Sequence, residues 1–164
     1  MPERMKVQLT RRTGGGSVLR CQRADGSVTW QKQDRHAEFF ALHDLTHFAV
    51  ESTLGFQNGF FGLIAQGWDI EDTTGKGVRG RLPPEAVLVE QLVGLLGYDR
   101  SSELLADAGD FNAQAASIAS AHGRPAPRPL SEEELARVRS KRGELFEQWQ
   151  ALAPGSSLEL RWGH

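Results

Sequence analysis

The stretch from His43 to Glu51 concentrates side chains that could do chemistry. It reads HDLTHFAVE, so two histidines stand four residues apart and Asp44 directly follows the first. On a helix with about 100° per residue, His47 lies about 40° from His43. Glu51 and Asp44 then lie at about 80° and about 100° on the same scale. All four share one helix face, and two imidazoles at this spacing can reach one divalent metal ion.

The spacing resembles the zinc-binding helix of the zincin metallohydrolases, which carry H-E-x-x-H. In that family the two histidines bind zinc and the glutamate acts as general base on the zinc-bound water. The resemblance implies that His43 and His47 are metal ligands. It also implies that Asp44, which stands where the family has glutamate and is one methylene shorter, is the catalytic base. The HDLTH stretch is similar, too, to that of an uncharacterised group of small bacterial proteins.

A third metal ligand is required, and helix geometry restricts the choice. Glu51 is about 12 Å from His43 along a straight helix, so the two bind one ion only if the helix bends or Glu51 reaches back. In the gluzincin branch of the zincins, the third ligand is a glutamate from a separate downstream helix. Glu90 is the matching candidate, because it stands in the mainly apolar run 87–93 and a buried carboxylate needs a cation. Glu51 is then either a ligand or a residue that orients a histidine.

Two functions follow from this set of residues. The first is binding of Zn²⁺ or another divalent transition metal, with hydrolysis of a small-molecule or peptide substrate as the possible reaction. In that reaction Asp44 would take the proton from the metal-bound water. The alternative is a non-catalytic structural or interaction protein whose buried histidines and acids form a hydrogen-bond network. Phe60, Phe61 and Trp68 are expected in the core or in the wall of an apolar substrate cleft.

Strand patterns at both ends of the chain frame the histidine helix. Residues 5–12 alternate apolar and polar side chains, and 17–23 and 28–32 follow after glycine-containing turns. This pattern predicts a three-stranded antiparallel meander. Residues 156–162 alternate in the same way and are predicted to join that sheet as a fourth strand.

Helical patterns fill the middle of the chain. The predicted helices are His36 to about Leu54 with Asp34 as its cap, a short helix at 60–66, 84–96 ending near Gly97, 102–121, and a helix from the Ser131 capping box to about Leu152. We therefore expect an α+β fold that is mostly helical, with a small antiparallel sheet of three N-terminal strands plus a C-terminal strand. With 164 residues, a single domain over 1–164 is expected.

Composition and charge narrow the class of protein. Residues 36–110 carry four Lys/Arg against twelve Asp/Glu, a net of −8, whereas residues 1–35 carry eight against three, a net of +5. An acidic region around the histidines suits a cation, and no basic stripe with interleaved aromatics predicts a nucleic-acid partner. The absence of a long apolar run and of an apolar N-terminal region, with a single cysteine, Cys21, predicts a cytoplasmic protein with no membrane partner. No pattern indicates the oligomeric state.

Overall fold

One antiparallel sheet gathers strands from both ends of the chain. The computed structural model describes residues 4–99 and 107–163. Its strands are β1 (Met5–Arg11), β2 (Ser17–Gln22), β3 (Val28–Gln33) and β4 (Ser157–Trp162), in the order β3-β2-β1-β4. The C-terminal strand pairs with β1, and the predicted α+β fold with three N-terminal strands and a C-terminal fourth is confirmed.

The helices lie between β3 and β4 in the chain. In the described part of the chain they are α1 (Ala37–Leu54), α2 (Phe60–Ala65), a 3-10 helix (Ile70–Thr74), α3 (Pro84–Asp99), α4 (Ala108–Ala121) and α5 (Glu132–Gln150). Residues 102–106 of the helix predicted at 102–121 lie outside the described residues. None of the described helices combines the length and the apolar character that a membrane crossing requires.

Helix α1 lies at the centre of the packing. On one side its apolar residues, Ala41, Leu45 and Phe48 among them, join the sheet and α5 in one apolar cluster. On another side, Val50 packs in a second cluster with Val89 and other residues of α3. Because α1 is covered on several sides, the polar side chains that it carries inward need partners from the surrounding elements.

The start of α1 differs from the prediction. Its N-cap is His36, in the left-handed conformation with φ of 52°, and no side chain caps the helix there. Asp34 instead forms ion pairs with Arg12 at 2.7 Å and Lys32 at 3.5 Å. The prediction that Asp34 caps the helix is wrong, because these cations hold its carboxylate beside the sheet.

The end of α3 also differs from the prediction. The helix continues to Asp99, so Gly97 lies inside it. A glycine that ends a helix normally adopts a positive φ, and Gly97 does not. Gly94 and Gly97 are both exposed, where glycine inside a helix costs only about 1 kcal/mol relative to alanine.

Candidate metal centre

Three side chains from α1 and α3 converge at one place. The imidazoles of His43 and His47 and the carboxylate of Glu90 each offer a ligand atom, and these atoms lie within 4.8 Å of one another. His47 Nε2 is 3.0 Å from Glu90 Oε1, and His43 Nε2 is 3.9 Å from Glu90 Oε2. Within residues 4–99 and 107–163, this is the one group of three or more His, Cys, Asp or Glu side chains arranged closely enough to hold a metal ion.

Helix spacing and helix packing together create this arrangement. Four residues separate the two histidines along α1, and their rings meet edge to face with centroids 4.9 Å apart. Helix α3 packs on α1 through an apolar contact that includes Val50 and Val89. Since Glu90 directly follows the buried Val89, the packing of α3 brings its carboxylate to the rim of that contact, beside the histidines.

The three side chains differ in their exposure to solvent. The His47 side chain is 2% exposed, whereas those of His43 and Glu90 are 31% and 47% exposed. The expectation that Glu90 is buried is therefore wrong, because the carboxylate lies at the edge of the α1–α3 contact. One end of the group is thus closed by the protein and the other is accessible to a ligand.

Glu51 lies on the opposite side of the His47 ring from Glu90. Its buried carboxylate accepts a hydrogen bond from Nδ1 of His47 at 3.0 Å. It also accepts three backbone N–H groups at the start of α2, from Phe60 at 2.9 Å, Phe61 at 3.0 Å and Gly62 at 3.2 Å. These four donors use both carboxylate oxygens, so Glu51 orients His47 and caps α2 in this arrangement.

Gly59 makes the approach of Glu51 to α2 possible. Gly59 is the N-cap residue of α2, and as a glycine it has no side chain that could accept a hydrogen bond from that helix. A Cβ atom at Gly59 would collide with the carboxyl group of Glu51. A glycine at this position therefore leaves the space in which a carboxylate from another helix reaches the first N–H groups of α2.

The hydrogen bonds around His47 control its protonation. Burial by itself lowers the pKa of His47, but its hydrogen bonds to Glu51 and Glu90 together raise the pKa to about 10. The partial burial of Glu90 by itself raises its pKa. The hydrogen bond from His47 and the charges of both histidines outweigh that effect, so the pKa of Glu90 is lowered. Burial and the neighbouring His47 lower the pKa of His43. Without a metal, the charged form of His47 bridges two carboxylates.

Asp44 points from α1 towards the sheet. It is almost fully buried, and its Oδ2 accepts a hydrogen bond from Nε2 of Gln33 at 3.0 Å. The Oε1 atom of Gln33 in turn accepts the hydroxyl of Ser17 at 2.8 Å. Burial raises the pKa of Asp44 to about 6, although the bond from Gln33 opposes the shift. The predicted catalytic base is therefore tied to a buried network with β2 and β3, outside the three-residue group.

Aromatic rings surround the two histidines. The Phe60 ring lies 5.3 Å from that of His47, and the Phe39 ring stacks on His43 at 5.8 Å with an interplanar angle of 19°. Phe61 belongs to the core, which is one of the two positions predicted for it, the other being the wall of a cleft. Trp68 is half-buried, and Arg79 lies over its ring at 5.4 Å.

Sequence reasoning did not find Gln33, Ser17 or Gly59. The glycine directly before the apolar stretch FFGLI was a usable signal for a close backbone approach. No comparable signal connects Gln33 with Asp44, because that contact depends on how α1 lies on the sheet.

Comparison of the chain with protein-family models, with curated proteins and with solved structures found no match.

Proposed function

We propose that this protein binds a divalent transition metal of the zinc type through His43, His47 and Glu90. The observation that supports this most is the convergence of three ligand atoms within 4.8 Å of one another. Two atoms that each bind one zinc ion at about 2.1 Å lie roughly 3.4 Å apart at a tetrahedral angle. Shifts of roughly 1 Å, well within the freedom of the half-exposed Glu90, would therefore close the group around an ion.

The donor set favours zinc over a hard cation. Two imidazoles and one carboxylate suit Zn²⁺ and its neighbours, whereas Ca²⁺ and Mg²⁺ prefer oxygen ligands alone. Glu51 on the far nitrogen of His47 supports the same conclusion, because a histidine that binds a metal commonly donates its other N–H to a carboxylate. With three protein ligands, one position remains for water or for a substrate.

The reaction that such a site would support is hydrolysis of a small-molecule or peptide substrate. A bound divalent metal supplies a water whose pKa is lowered towards neutrality. Asp44, with its pKa of about 6, has a proton affinity suited to a general base near neutral pH. To act as one, its carboxylate must exchange the bond to Gln33 for a bond to the reacting water.

The role of Asp44 is tested by Asp44→Asn. Tag-free, zinc-loaded protein is assayed against chromogenic esters, amides and phosphoesters, and its zinc content is measured in parallel. Loss of turnover with zinc retained supports Asp44 as the base. Unchanged turnover contradicts that role, and loss of zinc would make Asp44 a ligand or a structural partner instead.

The alternative is a non-catalytic protein in which the same residues only stabilise the fold. The bridge from His47 to Glu51 and Glu90 favours it, because both partners of the charged imidazole are in place without any metal. Under this alternative, a chelator has no effect on thermal stability, and added zinc does not raise the melting temperature.

Metal analysis of protein purified without a histidine tag separates the two functions. We expect close to one zinc or similar ion per chain, and a large loss of that metal in His43→Ala. His43 is the better site for the substitution because its side chain is partly exposed, so its removal leaves Glu51 and His47 paired. His122→Ala is the matched control, since His122 is an exposed residue at the end of α4. Equal metal content in both variants, or none in the wild type, contradicts metal binding.

A further inference from the structure

A cavity adjoins the proposed metal group on the side of His43. Its volume is about 310 Å³, and it lies between α1, α3 and α5. The side chains that line it are Phe39, Leu42, His43, Thr46, Val93 and Phe146. A cavity of this size lies within the range of small-molecule binding sites.

On the side of Glu90 there is much less room. The pocket there is lined by Glu90 and by apolar residues of α2 and α3, Phe60 and Ala86 among them, and has a volume of about 10 Å³. That is space for about one water molecule. A ligand larger than water that is bound at the metal and packs against the protein would therefore lie in the cavity beside His43 rather than in the pocket beside Glu90.

The walls of the cavity indicate the chemistry of its occupant. Among the described residues that line it, His43 alone carries an ionisable group. The hydroxyl of Thr46 donates to the carbonyl oxygen of Leu42 at 2.8 Å, so its proton is already used. The Phe39 ring is stacked on His43 and is 64% exposed, which places an aromatic surface beside the ligand group. A charged group buried against these described residues would lose its hydration and would have only His43 as an ionisable partner.

We propose that the ligand or substrate of this site joins a metal-binding polar end to an apolar group, aryl or branched alkyl, which enters the cavity beside His43. The proposal rests on the metal-binding function proposed above. A cavity of about 310 Å³ is large enough for an aryl or branched alkyl group. The polar end lies at His43, His47 and Glu90, and the apolar end contacts α1, α3 and α5.

Two glycines of α3 provide a matched pair of variants. Gly97 lines the cavity, and a Cβ atom at that position would meet no atom of the described residues within 4 Å. Gly97→Leu therefore fills the cavity without touching a proposed ligand residue. Gly94 lies three residues earlier, is equally open around its Cβ position and does not line the cavity. Leucine favours the helix over glycine to the same extent at both positions, so both variants are expected to fold.

The experiment compares two hydroxamates on tag-free protein whose zinc content has been measured. Acetohydroxamate and benzohydroxamate have the same metal-binding end and differ in their apolar group. By calorimetry, we expect benzohydroxamate to bind the wild type and Gly94→Leu roughly 10- to 100-fold more tightly than acetohydroxamate, the range for burial of one aromatic ring. In Gly97→Leu this preference should fall to about threefold or less, with the affinity for acetohydroxamate unchanged.

The outcomes distinguish this proposal from the one on which it depends. If the wild type binds zinc but holds both hydroxamates equally, the apolar cavity proposal is overturned and metal binding stands. If Gly97→Leu and Gly94→Leu keep the same preference, the aryl group binds elsewhere and the proposal is likewise overturned. If no zinc is bound, metal binding fails and this proposal fails with it.

Discussion

Replacing Glu51 by glutamine tests how the site is supported. The two side chains have nearly the same size, so Glu51→Gln removes the charge and one acceptor without opening a cavity. In the structure, Oε1 accepts the N–H groups of Phe61 and Gly62, and Oε2 accepts those of Phe60 and His47. Whichever oxygen becomes the amide NH₂, two of these donors, each buried or partly buried, lose their acceptor.

The expected loss of stability follows from these bonds. A hydrogen bond to a charged group contributes about 1.5 to 3 kcal/mol, and a buried donor without an acceptor carries a further penalty. Loss of two such bonds, partly relieved by a change of tautomer at His47, predicts a decrease of about 3 to 5 kcal/mol in the free energy of unfolding. For a chain of this length, that lowers the melting temperature by roughly 10 °C.

The matched control is Glu85→Gln. Glu85, in the first turn of α3, also accepts two backbone N–H groups, from Gln57 at 3.0 Å and Asn58 at 2.9 Å, but the first of these bonds is exposed and the second only partly buried. Water can replace those bonds, so the expected loss is below about 1 kcal/mol. Both variants are unfolded in urea at pH 7 with chelator present and followed by circular dichroism. A loss for Glu51→Gln that is no larger than that for Glu85→Gln refutes the capping role of Glu51.

Three further predictions concern neighbouring groups. Gly59→Ala should lower the free energy of unfolding by about 2 to 3 kcal/mol, because the added methyl group collides with the Glu51 carboxyl group. In a Glu51→Ala background the same substitution should cost clearly less. Equal losses in both backgrounds, measured by unfolding in urea, argue against this contact. Because the pKa of His47 is raised to about 10, zinc must displace its proton at pH 7. Calorimetry in two buffers of different ionisation enthalpy should show release of about one proton per zinc, and no release contradicts the protonated bridge. The pKa of Asp44 is about 6 when folded against an ordinary value of 3.8, so its cost to folding is absent below pH 3.8 and complete above pH 6. Asp44→Asn should therefore stabilise the protein by about 1 to 3 kcal/mol at pH 8 and have little effect at pH 3.5. The free energy of unfolding in urea is measured at both pH values, and an equal change at the two contradicts the prediction.

Local patterns were sufficient for most of the fold. The alternation of Leu158, Leu160 and Trp162 predicted β4, and the Ser131 capping box correctly marked the start of α5. Such features depend on residues close in sequence. Asp34 had the right residue type and spacing for a cap, but the prediction failed because Arg12, which lies distant in sequence, forms an ion pair with it.

The candidate site could be predicted only in part for the same reason. The spacing of His43 and His47 is local, and the sequence places both on one face of α1. That Glu90 lies beside them depends on the packing of α3 against α1, and the sequence suggested this residue only as the lone carboxylate of an apolar helix. The direction of Asp44 towards Gln33 depends on how α1 lies on the sheet, which no local pattern encodes.

Zinc K-edge X-ray absorption on tag-free, zinc-loaded protein tests the central claim most directly, because it reports the atoms bound to the metal. Metal binding by His43, His47 and Glu90 predicts a first shell of nitrogen and oxygen at about 2.0 to 2.2 Å, with outer scattering from two imidazole rings. In His43→Ala most of the zinc should be lost, and the zinc that stays bound should show the scattering of at most one imidazole ring. A first shell of water oxygens without imidazole scattering, or a spectrum that is unchanged in His43→Ala, would contradict the proposed metal centre.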